Sequence, residues 1–349
     1  MKISDLGEFG LIAKIKAQAK GRSSSTLLGI GDDAAALSLS PSKTLLTTTD
    51  MLLEGVHFDL SYTDFYSLGW KSAAVNLSDI AAMGGVPRFC LTALGIPSTI
   101  SVEQIKDFYK GFHALCRKYD VDLVGGDTCR SEKGLVISVT ALGEVEKKKM
   151  LTRAGARAGD LIFVTGTLGD SAAGMEVLKA GARVQGSGAR VQGPGSRGKG
   201  HNSELRTQNS PLIRKHLRPN PRIESGRKIA LSGFATSMID ISDGLSSDLG
   251  HICEESGVGA EINAEQLPFS KDIQRAVDQL RTIPLQYALS GGEDYELLFT
   301  LQPSKLKKFL ALKIPSTQIG AVIAGNKMFL NEQGKRAVLR PKGFNHFAG

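Results

Sequence analysis

Apolar residues return every three to four positions along some stretches of the chain and every two along others, and these periods divide it into alternating helices and strands. Ahead of Met150 the helical period marks Leu6 to Ala19, Tyr66 to Met83 and Val102 to Tyr119. Strands are predicted at Ala34 to Leu39, Thr44 to Met51, Phe89 to Ile96, Asp122 to Val124 and Leu135 to Glu144, with turns at Gly84-Gly85, Pro97 and Gly125-Gly126. After the basic run Lys147 to Lys149, a second series opens with a strand at Leu161 to Thr165, a turn at Gly166 to Gly169 and a helix at Asp170 to Ala180. Further helices are predicted at 223–231, 245–256, 271–280 and 304–312, and strands at 237–241, 260–262, 295–300 and 318–322. The pattern predicts an α/β (α+β) protein of two mixed-sheet domains, residues 1–150 and 151–349.

The 349 residues are 41% hydrophobic and 22% charged, which gives each half enough apolar material for a core and excludes a disordered tail, a collagen-like repeat or a coiled coil. No window reaches about 18 consecutive apolar residues, and the N-terminus lacks the apolar run of a signal peptide, so neither a membrane span nor secretion is expected. Cys90, Cys116, Cys129 and Cys253 are scattered without a C-x-x-C pair. That spacing suits four core thiols in a reducing cytoplasm rather than a disulfide framework or a zinc site.

A formal charge of +8 raises nucleic acid as a partner until its distribution is examined. Residues 181–230 hold eleven Lys or Arg against Glu204 and Glu224, so the excess belongs to one segment. Within it, the hexapeptide GARVQG stands at 181–186 and again at 188–193, and seven glycines fall between 181 and 200. Such a stretch reads as a flexible basic insertion at about 181–210. It lacks the aromatic residues that stack on bases, which weighs against nucleic acid. Residues 193–200, G-P-G-S-R-G-K-G, imitate a P-loop but place Gly200 where a Mg²⁺-binding hydroxyl belongs, between polar flanks rather than a strand and a helix.

The informative residues are carboxylates set in or beside glycine turns and at element ends: Asp32-Asp33 after Gly31, Asp50 after Thr47-Thr48-Thr49, Asp79 in Asn76-Leu77-Ser78-Asp79, Asp127 after Gly125-Gly126, and Asp240 and Asp243 in Asp240-Ile241-Ser242-Asp243-Gly244. One such aspartate is ordinarily a solvated turn residue; five clusters point to a shared ligand. Oxygen donors without a His or Cys group favour Mg²⁺ or Ca²⁺, and Mg²⁺ held by several loops implies a polyphosphate. The turn Gly166 to Ser171 offers N–H groups for a phosphate, although its Asp170 and Ser171 are equally helix caps. Arg153 and His57 are ambiguous taken alone. A catalytic triad and a Rossmann fingerprint are both missing.

At these residues the chain resembles the thiamine-monophosphate kinase family, in the superfamily that includes aminoimidazole ribonucleotide synthetase and selenophosphate synthetase. The resemblance rests on G-I-G-D-D-A at 29–34, T-T-D at 48–50, E-G-V-H-F at 54–58, N-L-S-D-I-A-A-M-G at 76–84, G-G-D-T at 125–128, T-R-A-G-A at 152–156, G-D-S-A-A-G at 169–174, H-L-R-P at 216–219, D-I-S-D-G-L at 240–245, S-G-G-E-D-Y-E-L at 290–297 and G-F-N-H-F at 343–347. It implies ATP-dependent phosphorylation of thiamine phosphate to thiamine diphosphate by direct in-line transfer. It further implies that Asp33, Asp50, Asp79, Asp127, Asp240 and Asp243 hold Mg²⁺, with Thr48 and Thr49 adding oxygen contacts. Asp33, Tyr109, Gly126, Asp127, Arg153 and Ser242 would contact ATP, and His57, Glu293 and Phe344 the thiamine phosphate. A homodimer is expected from the same resemblance. The competing readings are an ATP-dependent cyclase of the same superfamily, acting on a purine-pathway ribonucleotide, and a basic nucleic-acid-binding protein. The selenophosphate branch would want a reactive N-terminal Cys, and the first here is Cys90.

Overall fold

The computed structural model describes residues 14–18, 25–28, 36–37, 39–186, 210–280 and 283–343. These fall into two compact units, one of residues 1–150 with Pro221–Leu231, the other of Leu151–Asn220 with the remainder from Ser232. The helix near 223–231, predicted within the second block, thus belongs to the first unit.

In unit 1 the alternation in β3 (Lys43–Leu53), β4 (Val86–Ile96), β5 (Asp122–Arg130) and β6 (Val136–Glu146) builds one sheet in the order β3-β6-β4-β5. Its β4–β5 pair is parallel and the other two pairs antiparallel, so the sheet is mixed as expected. A two-stranded pair, β1 (Thr26–Leu28) with β2 (Ala36–Leu37), precedes it. Helix α1 (Phe65–Ala82) is capped by the Asp64 carboxylate, which accepts the Ser67 N–H, and α2 (Val102–Lys118) opens on a Ser101–Gln104 capping box. The two helices approach so closely that a Cβ at Gly69 or Gly111 would strike the other's backbone. They bury Leu68, Leu77, Ile80, Phe108 and Phe112, each worth about 2–3 kcal/mol of transfer free energy. A further helix, Ile223–Ser232, is pinned to this unit by Arg227, whose guanidinium donates to both Glu146 oxygens at 2.7 and 2.9 Å and to the Gly84 carbonyl at 2.8 Å. That fork holds the Glu146 carboxyl down at about 2.

Unit 2 is a seven-stranded mixed sheet. Its order is β13 (Lys335–Leu339), β12 (Met328–Glu332), β9 (Gly259–Asn263), β11 (Ser316–Ile323), β7 (Leu161–Thr165), β10 (Leu297–Leu301) and β8 (Ala235–Asp240), with only β12–β9 parallel. One face packs Ile162, Val164, Ile239, Leu298 and Ile319 against Leu245, Leu249 and Ile252 of the helix Leu245–Ser256. The rings of Phe163 and Phe299 stack at 5.5 Å and meet Phe309.

Several expectations are corrected. Gly125-Gly126 is no turn: it lies inside β5, beside the register shift at Cys90/Leu91. The strand predicted from Tyr295 starts at Leu297, because Glu293 and Tyr295 take left-handed φ values of 58° and 50°. The β12–β13 hairpin and the proline-started helices Pro211–Leu217 and Pro284–Ser290 escaped the pattern; at 5 to 7 residues each they are too short to display a period. Cys129 is exposed on β5, so only Cys90, Cys116 and Cys253 are core thiols. The helix from Asp170 runs to Gly186, taking in the first GARVQG copy; the second copy and the P-loop imitation lie outside the described residues. No described helix is long and apolar enough to cross a membrane.

His113 on α2 is buried among Tyr109 and Phe112, and its Nε2 has no hydrogen-bond partner among the described residues. Burial first, and Arg117 second, push its pKa down to about 4. The unfolded chain therefore binds the extra proton, and stability should fall by about 3 kcal/mol as pH drops from 6.5 through 4. His113→Phe is expected to flatten that slope in urea denaturation at pH 5 against pH 7.5, and an unchanged slope would contradict the assignment.

Candidate active site

In unit 1 the strand alternation of β3 sorts its Thr-Thr-Thr-Asp run. Thr48 and Asp50 are half-buried on the face under α1, whereas Thr47, Thr49 and Met51 are exposed on the other. Thr48 Oγ1 donates to Asp79 Oδ2 at 2.5 Å, and the Asp50 N–H donates to Asn76 Oδ1 at 3.1 Å. Asn76 and Asp79 stand one helical turn apart on α1, so a single helix face pins the strand and supplies a second carboxylate. Burial, then the charge of Asp79, raises the Asp50 pKa to about 6. Two neighbouring carboxylates and the Thr48 hydroxyl form an all-oxygen donor set, and a hard divalent cation would relieve the repulsion of the carboxylates, which fits Mg²⁺.

The remaining unit 1 residues distribute differently. Thr49 turns away from Asp79; its hydroxyl donates to the Val139 carbonyl at 3.1 Å. Asp127 lies on β5 in register with Ala93, Ser138 and Met51, hence on the opposite edge of the sheet, three strand spacings or about 14 Å from β3. Its carboxylate is exposed and accepts the Thr128 N–H at 2.8 Å. A Cβ at the neighbouring Gly126 would fall on the Thr92 carbonyl oxygen. Tyr109, expected at the nucleotide, is instead a core residue: it is 2% exposed, its hydroxyl lies 3.0 Å from Thr92 Oγ1, and burial lifts its pKa to about 12. His57 sits in the turn after β3, with Nδ1 accepting the Leu53 N–H at 3.0 Å, which leaves the proton of the neutral ring on Nε2.

In unit 2, Asp240 ends β8 and is buried. Beyond it the β8–β10 ladder continues as a zipper between two loops: Ile241 N–H to the Glu296 carbonyl at 2.8 Å, Tyr295 N–H to Ile241 at 2.9 Å and Glu293 N–H to Ser242 at 2.7 Å. Gly292 makes the approach possible, with φ +68° and space for a Cβ only 2.6 Å from the Ser242 carbonyl oxygen. Ser242, Asp243 and Glu293 are thereby brought together. The loop's outer N–H groups, those of Asp243 and Gly244, donate to Asp248 Oδ2 at 3.2 and 3.1 Å. Burial, then Asp243, raises the Asp248 pKa to about 7. Ligand atoms of Asp243, Asp248 and His251 lie within 4.8 Å of one another. Arg153 is exposed, with its carbonyl 3.2 Å from Ser256 Oγ.

In the Gly166–Ser171 turn, Asp294 takes the N–H groups of Gly169 and Ser171, and the Pro268 carbonyl takes that of Leu168. Beside these loops an open groove of about 540 Å³ is lined by Leu285, Leu289, Ser290, Ser246 and Lys342. The Ser246 hydroxyl lies 2.8 Å from both the Leu289 and Lys342 carbonyls. Asp33 and Phe344 lie outside the described residues. Asn76, Asp248 and Asp294 went unremarked in the sequence as site residues. The signal for Asp248 was its place four residues after Gly244, one helical turn below the loop.

Residues 31–145 match the family of the AIR synthase related protein, N-terminal domain, and residues 157–331 that of its C-terminal domain. Thiamine-monophosphate kinase of Aquifex aeolicus is 39% identical over 347 residues, 99% of this chain and 100% of that protein. The chain belongs to the thiamine-monophosphate kinase family. Its fold matches that of the Stenotrophomonas maltophilia kinase with TM-score 0.76 at 37% identity, over 95% of this chain and 98% of that one. It also matches the protein AaThiL, solved in complex with AMPPCP and TMP, with TM-score 0.73 at 37% identity over 99% of both chains.

Asp248→Ala would leave the N–H groups of Asp243 and Gly244 without their acceptor at a buried helix start, costing about 2 kcal/mol in urea denaturation. Asp248→Asn, which keeps an acceptor oxygen, should lose less than half of that; an unchanged stability in Asp248→Ala would show that the carboxylate does not hold the loop.

Proposed function

We propose that this chain transfers the terminal phosphoryl group of ATP to thiamine phosphate, giving thiamine diphosphate and ADP. The observation that carries the reading is the likeness over 99% of both chains to a protein complexed with AMPPCP, a non-hydrolysable analogue of ATP, and TMP. Phosphoryl transfer asks a protein mainly to position two charged partners and to offset charge, so the absence of a nucleophile-base triad from the motifs is consistent with direct transfer. Asp50, Asp79 and Thr48 would hold Mg²⁺ in unit 1, Asp240 and Asp243 would supply the corresponding oxygens of unit 2, and Ser242 would contact the nucleotide. Bound Mg²⁺ would neutralise charge on the polyphosphate oxygens. Asp33 and Asp127 join the metal set, and Gly126 and Arg153 the nucleotide set, on the strength of the family motifs.

Glu293 offers a carboxylate to the thiazolium cation, and the apolar wall of Leu285 and Leu289 suits an aromatic ring. His57 and Phe344 complete the substrate contacts by family analogy. A cytoplasmic location agrees with this metabolic role. We also propose a homodimer through the face of the unit 1 sheet on which Leu45 and Met51 are 45% and 56% exposed beside Thr47, Thr49 and Thr140.

A coupled ADP assay with thiamine phosphate, thiamine, formylglycinamidine ribonucleotide or no acceptor, with and without Mg²⁺, tests the reaction. Turnover is expected with thiamine phosphate alone and only with Mg²⁺; turnover with the ribonucleotide would instead favour the cyclase. Asp79→Asn and Asp243→Asn should each lower kcat by at least about 10²-fold, as loss of a charge-stabilising ligand does. Met51→Glu is expected to shift the protein to monomer in sedimentation velocity.

A further inference from the structure

The stretch Gly292 to Tyr295 is held in an uncommon backbone. Glu293 and Tyr295 are not glycines, yet both have left-handed φ values, 58° and 50°, a conformation that persists only where surrounding contacts enforce it. Asp294 stands between them and provides such a contact. Its Oδ2 accepts the Gly169 N–H at 2.7 Å and its Oδ1 the Ser171 N–H at 3.3 Å, so the carboxylate closes the start of the helix Asp170–Gly186. The same Ser171 reaches His216 with its hydroxyl, Oγ to Nδ1 at 3.2 Å, and that Nδ1 lies 3.1 Å from Glu293 Oε2. An ionised carboxylate only accepts, so the Nδ1 proton is the one that faces Glu293. His216 is 4% exposed and fixed on the helix Pro211–Leu217. The chain from Glu293 through Asp294, Ser171 and His216 back to Glu293 is therefore a closed ring of contacts, holding the side chain at its backbone and at its tip.

We propose that Asp294 and His216 are positioning residues that aim the Glu293 carboxylate at the thiazolium ring of thiamine phosphate. This rests on the reading of Glu293 as a substrate contact. Neither residue need touch the substrate. Asp294 fixes the backbone turn from which Glu293 projects, and His216 fixes its carboxylate oxygen. A side chain as long as glutamate's otherwise samples many rotamers, and a misplacement of about 1 Å is enough to weaken a site.

Steady-state kinetics on the full chain test this with Glu293→Gln, Asp294→Asn, His216→Phe, His216→Asn and the double variant Asp294→Asn/Glu293→Gln. Glu293→Gln, Asp294→Asn and His216→Phe should each raise KM for thiamine phosphate about tenfold while KM for ATP stays within about twofold, the pattern of a lost ground-state contact. His216→Asn should recover most of the loss, because its amide N–H can donate from nearly the place of Nδ1. The double variant should be no worse than Glu293→Gln alone, since a misaimed residue that is already neutral has nothing further to lose. Multiplied effects in the double variant, or an equal rise in KM for ATP, would overturn the positioning role. An unchanged KM in Glu293→Gln would instead overturn the substrate assignment of Glu293, and this proposal with it. Should Asp294→Asn fail to fold, the two His216 variants decide: recovery by Asn supports the proposal, and equal behaviour of Phe and Asn refutes it.

Discussion

A carboxylate that leaves water needs something to replace it, and in this protein the replacement is repeatedly a backbone N–H at a loop or helix start. Asp248 takes two from the loop that bears Asp243, and Asp294 takes two from the Gly166–Ser171 turn. Folding thereby consumes several of the polar groups that an isolated motif would offer a ligand. Other acids sit beside one another instead, as Asp50 does beside Asp79. Asp50 shows the cost of such a placement, since burial and a neighbouring carboxylate raise its pKa to about 6.

This division explains why acid-rich motifs carry two kinds of residue with different duties. In Asp240-Ile241-Ser242-Asp243-Gly244 and in Gly292-Glu293-Asp294-Tyr295 some carboxylates lie in the loops while others, including Asp248 one turn further on, set the loops' shape. The continued β8–β10 ladder adds a third restraint by joining Ser242 directly to Glu293. Three sets of backbone hydrogen bonds thus fix a short region in which few side chains are free to choose their direction.

Much of this was legible in the sequence, and the reasons for the exceptions are physical. Periodicity located the sheet strands and long helices, because a half-buried strand or helix must alternate apolar with polar positions. It missed the β12–β13 hairpin, whose outer strand is almost wholly exposed, and misread Gly125-Gly126, where glycine serves close strand approach rather than a turn. The carboxylates of Thr-Thr-Asp and Asn-Leu-Ser-Asp are neighbours, since β3 and α1 bring Asp50 beside Asp79. Asp127 is a different matter: nothing local to Gly-Gly-Asp encodes that its strand occupies the far edge of the sheet. Tyr109 likewise looked available only because a sequence does not display the Thr92 hydroxyl waiting for it in the core.

The helix that carries Arg227 has a consequence for how the molecule is made. It completes the first unit, clasping Glu146 and the Gly84 carbonyl, yet Arg227 is encoded 81 residues after Glu146 on the strand it secures. A nascent chain that has emerged only as far as Met150 has every strand of the first sheet but not its last clamp. Cooperative closure of that unit must therefore wait until translation has passed Leu231, well into the synthesis of the second, which ties the maturation of the two halves together in time.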